Sequence, residues 1–256
     1  MSVYVDFIYD GQAGAAKGIA LVRNIHRDIL PPARPRTIKL SGRHGIMYFD
    51  HVFDERTIRV DVVLAEASHG LLRERVRALA AWLNPGSPRN LIFTDESDKY
   101  YGAVLSGETN LEQLIAEGEG TLSFLCPDPF AYAVTPDVAT ITASPHQHNQ
   151  HGTAPADPLL RLQGVSTGAG GQQISIAIGT QSVTYRGALA TGDWLEIDCR
   201  DKATFRVAGQ QRTRALHLLD KPVFPQLAPG NNSITITPAG GATWSRLEVH
   251  CRNRWI

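Results

Sequence analysis

The sequence is poor in the features that announce a membrane, a charged partner or an active site. No stretch approaches the roughly 18 consecutive apolar residues of a membrane span, and the opening MSVYVDFIYDGQAG has no basic segment followed by an apolar run. A soluble protein made in the cytoplasm is expected. Net charge is missing too: 25 Lys plus Arg balance 25 Asp plus Glu, so no global field draws the chain to nucleic acid or to an anionic membrane, and neither is expected as a partner. Cysteine is scarce, and Cys126, Cys199 and Cys251 form an odd set without CxxC spacing. Each shares the apolar face of a predicted strand, with Leu122 and Phe124, Leu195 and Ile197, and Leu247 and Val249 respectively, so buried, reduced thiols are expected. GxSxG, HExxH, a Walker loop and GxGxxG after a strand are all absent, which leaves the motif-borne reaction classes unsupported and predicts neither enzyme activity nor a cofactor.

What is present is a globular composition, 43% hydrophobic and 20% charged over 256 residues, long enough for two cores. Period-two alternation dominates the first half: Ile58, Val60, Val62 and Leu64 point one way while Arg59 and Asp61 point the other. Similar runs occur at 3–9, 46–53, 90–94, 100–105 and 121–126. One segment has helical spacing instead. From Ser68, a plausible N-cap, to Leu83, the residues Leu71, Leu72, Val76, Leu79, Ala80 and Leu83 form one stripe, Asn84-Pro85-Gly86 stops it, and Arg73, Arg75 and Arg77 lie on the solvated side. After Cys126 the composition shifts: CPDPFAYAVTPD leads through one more strand into SPHQHNQHGTAPADP, a polar, proline-punctuated run predicted to act as a domain junction rather than a ladder. The expected domains are 1–132 and 133–256. Beyond the junction, strands predicted at 159–162, 174–178, 183–186, 194–199, 204–207, 214–218, 233–237 and 244–251, with turns at Gly192-Asp193 and Gly230-Asn231, describe an antiparallel β-sandwich.

Three constellations could carry chemistry. His146, His148 and His151 have a spacing that could present imidazoles to a metal, against the alternative of a solvated linker; His44 and His51 flank a strand and are weaker candidates. Trp194 alternates onto the face of Glu196 and Asp198, and Trp244 onto that of Arg246, Glu248 and His250. An indole beside hydrogen-bonding groups can stack a sugar or cover a domain contact, so Trp194, Glu196, Trp244, Arg246 and Glu248 are candidate sugar contacts. A glycoside hydrolase would need two carboxylates meeting across a cleft, and no other feature of the chain supports it.

The succession FIYDG, IHRDILPPARPRTIKLSGRHGIMYFD, AAWLNP, DKYYGAVL and CPDPFAY resembles the distal tail protein (Dit) family of long-tailed siphovirus bacteriophages, and TGDWLEIDCRDKATFRV with FPQLAPGNNSITI is similar to the sandwich that follows in many members. The resemblance implies a mainly β chain: an N-terminal β-sandwich with one α-helix and an extended β-hairpin arm, then a C-terminal galectin-like or carbohydrate-module-like β-sandwich. It further implies a virion protein of the tail tip, a homo-hexameric ring joining the tail tube protein to the tail-tip hub or tail-associated lysin protein, near receptor-binding proteins or a cell-surface saccharide. No residue here matches a demonstrated sugar site, so a lectin-like fold transfers no lectin activity. The rival reading is a free-standing carbohydrate-binding or receptor-binding module, which needs an aromatic-lined groove in the second half, whereas a hub needs self-contact by the first.

Segment 25–52 is the candidate arm. Its PPARPR prolines are expected to prevent a compact local ladder, and Ile46, Tyr48 and Val52 alternate against Met47, Phe49 and Phe53, so apolar groups face both ways. Ile46, Tyr48, Phe49 and Val52 are thus the predicted oligomer contacts. The alternative is a hairpin folded back on its own sandwich.

Overall fold

In a computed structural model, which describes residues 5–64, 69–106, 118–220 and 222–256, the chain divides into two compact units, Met1–Val134 and Thr135–Trp255. Both are mainly β, and the described residues contain one α-helix.

The first unit contains β1 (Phe7–Tyr9), β2 (Gln12–Ala13), β3 (Ile19–His26), β4 (Ala33–Ile38), β5 (Met47–Phe53), β6 (Arg56–Leu64), helix α1 (His69–Leu83), β7 (Arg89–Phe93), β8 (Lys99–Leu105), β9 (Glu119–Cys126) and β10 (Ala131–Ala133). An antiparallel sheet runs in the order β2-β1-β7-β8-β9-β6-β3, with β10 on β8, while β4 and β5 pair only with each other. The alternation of β6 does what its sequence dictates. Ile58, Val60, Val62 and Leu64 are buried, and Ile58 and Val60 register against Phe124 and Leu122 of β9. Phe124 meets Phe7 edge-on at 5.7 Å, and each fully buried aromatic or aliphatic side chain contributes roughly 1.5–3 kcal/mol.

Helix α1 buries Leu72, Val76, Leu79 and Leu83, as its spacing predicts, but Leu71 and Ala80 are exposed and Trp82 takes their place. Trp82 stacks on Phe7 at 6.0 Å and donates its indole N–H to the Tyr9 carbonyl at 3.2 Å, a polar anchor that an apolar stripe does not anticipate. Arg73 and Arg77 are solvated, whereas Arg75 is half-buried over Gly18. Gly18 has φ +89°, a backbone conformation that side-chain-bearing residues rarely adopt, which favours glycine there. The N-cap assigned to Ser68 and the first residues of the strand predicted from Val3 lie outside the described residues.

The second unit is a sandwich. Its strands are β11 (Asp137–Ile141), β12 (His146–Gln150), β13 (Leu159–Thr167), β14 (Gln173–Ile178), β15 (Gln181–Tyr185), β16 (Ala188–Leu189), β17 (Trp194–Asp198), β18 (Ala203–Ala208), β19 (Gln211–Arg214), β20 (Leu219–Asp220), β21 (Gly230–Ala239) and β22 (Thr243–Cys251). One sheet runs β11-β22-β13-β17-β18-β19, with β16 on β13; the other runs β12-β21-β14-β15-β20. Leu160, Leu162, Leu195, Ile197, Leu247 and Val249 of the first interlock with Ile174, Ile176, Val183, Ile234 and Ile236 of the second in one core. Cys126, Cys199 and Cys251 are all buried, and burial pushes each thiol up to about 12.

Four sequence expectations fail locally. The PPARPR run does form a ladder, because Pro35 opposes His51 in a two-stranded hairpin where a missing N–H can face solvent. The histidine run is no linker: His146–Gln150 pairs residue for residue with Ile234–Gly230 of β21. The strand predicted at 214–218 is the end of β19 followed by a 3₁₀ turn at Leu216–Leu218. Gly230-Asn231 is not a turn but the start of β21, facing Gln150 and Asn149.

Candidate functional site

The β4–β5 hairpin is where apolar side chains meet solvent. Ile46, Tyr48, Phe49 and Val52 are between 54% and 64% exposed. Ile38, Leu40 and Met47 join them, and Ile29 and Leu30 precede the hairpin at 92% and 60%. These nine are more than half of the sixteen large exposed hydrophobics of the described chain, so apolar exposure is concentrated in one element rather than scattered. Sequence reasoning missed Ile29, Leu30, Ile38 and Leu40 as exposed apolar residues, although Ile29 and Leu30 directly precede Pro31-Pro32 and Ile38 and Leu40 flank Lys39.

The faces of the arm are set by a bulge. Ala33 to Arg36 oppose Phe53 to Asp50 one for one, but Thr37 opposes Tyr48, which leaves Phe49 as the extra residue. Tyr48 is therefore moved from the face of Val52 to that of His51 and Phe53. Its hydroxyl meets His51 Nδ1 at 2.7 Å, and the His51 ring lies edge-on to Phe53 at 4.9 Å. One face thus carries Pro35, Tyr48, His51 and Phe53. The other carries Arg34, Arg36, Ile38, Met47, Asp50 and Val52, with Arg36 paired to Asp50 at 3.1 Å. The alternation expected across Ile46–Phe53 is corrected accordingly. Only the root is anchored by rings, Phe53 against Phe130 at 6.1 Å, and Arg34 Nε donates to Asp54 at 2.7 Å there. The rest of the hairpin is exposed instead of folding back on its own sheet.

Four of the five candidate sugar contacts, Trp194, Glu196, Arg246 and Glu248, converge on the outer face of β22, β13, β17, β18 and β19. Register places Glu248, Arg161, Glu196 and Phe205 in one row and Arg246, Gln163, Trp194, Val207 and Arg212 in the next. Arg161 donates to Glu196 and to Glu248, each at 3.1 Å; Arg212 also holds Glu196 at 3.1 Å, and His250 and Arg246 approach Glu248 at 3.2 and 3.5 Å. The Arg161 and Arg246 guanidiniums lie 4.5 and 4.7 Å from the Trp194 ring centre. The indole is engaged by cations, not presented as a bare platform. Trp244 does not join it. The β13–β22 register shifts between Gln163 and Gly164, so Trp244 pairs with Gly164 and packs against the core. Gly164 is required there, since a Cβ would fall 2.4 Å from the Thr243 carbonyl.

His146, His148 and His151 do not assemble a metal site: among the described residues no group of three or more potential ligands does. His148 is buried beneath β11, its Nε2 3.8 Å from Asp137 Oδ2, and burial lowers its pKa. His51 serves the arm, and His44 lies in its exposed tip.

Two family models match the chain: the phage tail protein RIFT-related domain over residues 13–126, and the siphovirus-type tail component, C-terminal domain, over residues 151–255. No curated protein matches by sequence. Among solved structures, the fold is similar to that of the SPP1 Dit (gp 19.1) protein, described as a paradigm of the hub adsorption apparatus in phages infecting Gram-positive hosts. The TM-score is 0.79 at 17% identity, covering 98% of this chain and 99% of that one. A chain of the phage p2 baseplate in its activated conformation is similar at TM-score 0.51 and 7% identity, with 97% of each chain covered. Both units are thus matched by phage tail-protein family models, and the chain belongs to the siphovirus distal tail protein family, structural components of the virion tail and not enzymes.

Proposed function

We propose that this tail protein forms a closed homo-hexameric ring at the tail tip, built by residues 1–132. One side of the ring would dock on the tail tube protein and the other on the tail-tip hub or tail-associated lysin, while residues 133–256 form a galectin-like sandwich that projects outward toward receptor-binding proteins or a cell-surface saccharide. Assembly would follow synthesis in the host cytoplasm. The observation that carries this reading is the arm, a two-stranded ladder with apolar groups exposed on both faces. An isolated two-stranded ribbon is marginally stable in water, so it needs a surface to lie on. A cyclic assembly supplies one, because each copy offers two different patches and the arm of one can cover the next.

The test is the solution mass of the purified chain by light scattering, with electron micrographs of the same sample. Six times the chain mass and a ring in projection are expected. A monomer at high concentration, or assembly that survives deletion of 33–53, refutes the proposal.

A further inference from the structure

The two sheets of the second unit end unevenly. Inward-facing positions of β18 begin with buried Thr204 and then turn polar: Arg206 opposes Leu195 on one side and Thr213 on the other, and Ala208 opposes Gln211. Hydrophobic packing stops there, and a cavity of about 310 Å³ opens, with Arg206, Gln211, Thr213, Arg214 and His217 as its polar lining. Tyr185 also borders it, but that residue is 1% exposed and its hydroxyl is held by the Ala188 carbonyl at 3.0 Å, so it belongs to the core. A ligand would be recognised by the polar groups.

Those groups select for negative charge. Two of the lining residues are arginines and none is Asp or Glu. Arg206 gives Nε and Nη2 to Asp193 Oδ2 at 2.8 and 2.7 Å, and that oxygen also accepts the Ala190 N–H at 3.2 Å. Asp193 is buried and does not line the cavity, so it fixes the guanidinium through two nitrogens and leaves Nη1 unbonded. Arg214, the last residue of β19, has no carboxylate partner among the described residues, so its charge is uncompensated. The side chains of Gln211, Thr213 and His217 likewise make no hydrogen bond among the described residues. Donors are thus offered by β18, β19 and the 3₁₀ turn at Leu216–Leu218, three separate elements rather than one plane. A planar carboxylate is satisfied by a single guanidinium fork, whereas the tetrahedral oxygens of a phosphate use donors on several sides. The volume, at the small end of ligand pockets, suits a phosphate with at most a compact substituent.

We propose that this cavity binds a phosphate group, free or as a small monoester. Titration calorimetry on the full-length protein tests it with inorganic phosphate, phenyl phosphate and acetate, at one ionic strength held with sodium chloride. At least one of the two phosphates should bind roughly tenfold or more tightly than acetate, and the tighter of the two tells whether the group arrives free or esterified. The double variant Arg206→Lys/Thr213→Val keeps a cation for Asp193 but removes the unbonded Nη1 and the hydroxyl, and should weaken that phosphate roughly tenfold. Arg214→Gln, at the exposed end of β19, should weaken it by a similar factor without touching Asp193. Arg212→Gln removes a full charge from the same strand, where the guanidinium lies over Phe205 on the outer face, and should change the affinity less than about twofold. No binding of either phosphate, acetate bound as tightly, or an affinity that falls in Arg212→Gln as much as in the cavity variants would each overturn the assignment. None of these outcomes depends on whether the chain forms a ring.

Discussion

Replacing Arg161 with methionine isolates the central contact of the outer-face lattice, because the methionine keeps most of the aliphatic stem and removes only the guanidinium. Arg161 is 29% exposed on its side chain, and its two carboxylate partners are 15% exposed. The change deletes two charge-assisted hydrogen bonds and the cation over Trp194, and leaves Glu196 and Glu248 facing each other across β13. Removing one partner of a fully buried pair costs about 3–5 kcal/mol. Two facts reduce that here: the site is partly solvated, and Arg212, Arg246 and His250 still reach the carboxylates. A loss of about 2 kcal/mol follows, or roughly 5–10 °C in the melting temperature of a unit this size.

The comparison variant is Glu196→Gln, which leaves Arg161 on Glu248 and releases Arg212, already 53% exposed, into water. About 1 kcal/mol is expected from that change, so the cation should matter more than either carboxylate. Thermal unfolding followed by circular dichroism measures both, and the Arg161→Met deficit should persist in high salt because half-buried charges are poorly screened. If Arg161→Met melts within a degree or two of wild type, or costs less than Glu196→Gln, Arg161 is not what holds the lattice together.

Other outcomes follow from the same geometry. Phe49→Asp should convert the assembled species to monomer by light scattering, since burying a ring now 58% exposed is worth roughly 1–2 kcal/mol and recurs at every interface of a ring; an unchanged mass would contradict this. Native protein should resist a thiol reagent that labels all three cysteines once it is unfolded, because thiols buried and pushed up to about 12 offer almost no thiolate at neutral pH. Rapid native labelling would count against their burial. His148 is held neutral mainly by burial, with Asp137 opposing the shift, so the unfolded chain binds the proton more readily; stability is full above the ordinary value of 6.5 and falls as pH drops below it. His148→Gln should flatten that part of a stability-versus-pH curve, and an unaltered slope would exclude the residue as its source.

The fold was legible wherever one face of a strand is buried against a core and the other wetted. Ile58 to Leu64, Ile174 to Ile178 and Leu247 to Cys251 announce themselves by period two, because there the pattern is the packing. It was illegible where something other than side-chain burial holds the strand. Ile19–His26 carries two register shifts against β6, which scramble its alternation. His146–Gln150 has no apolar residue at all and is a strand only because β21 provides a ladder for it. Backbone pairing needs no hydrophobic pattern, so such strands are visible only once the partner is placed.

The candidate site repeats the lesson at single-residue scale. The sequence pointed to the arm by its apolar content, which survives folding because composition does not depend on register. Which residues share a face does depend on it, and one bulge in each candidate region reverses part of the reading. Phe49 as the extra residue of β5 takes Tyr48 from Val52 to His51, and the shift at Gly164 takes Trp244 from Arg246 into the core. Glycine is the partial signal for the second, since a strand glycine marks a place where backbones close in, and the Thr243 carbonyl does so at Gly164. No comparable mark exists at Phe49, so the pairing of Tyr48 with His51 can be learned only from the ladder itself. A designed charge at Tyr48 therefore perturbs the aromatic face with His51 and Phe53, whereas the same charge at Val52 lands beside Arg34 and Arg36, where it can be neutralised. Tyr48→Glu should weaken assembly more than Val52→Glu, and equal effects on the oligomer mass would show that the two faces are not distinguished by what covers them.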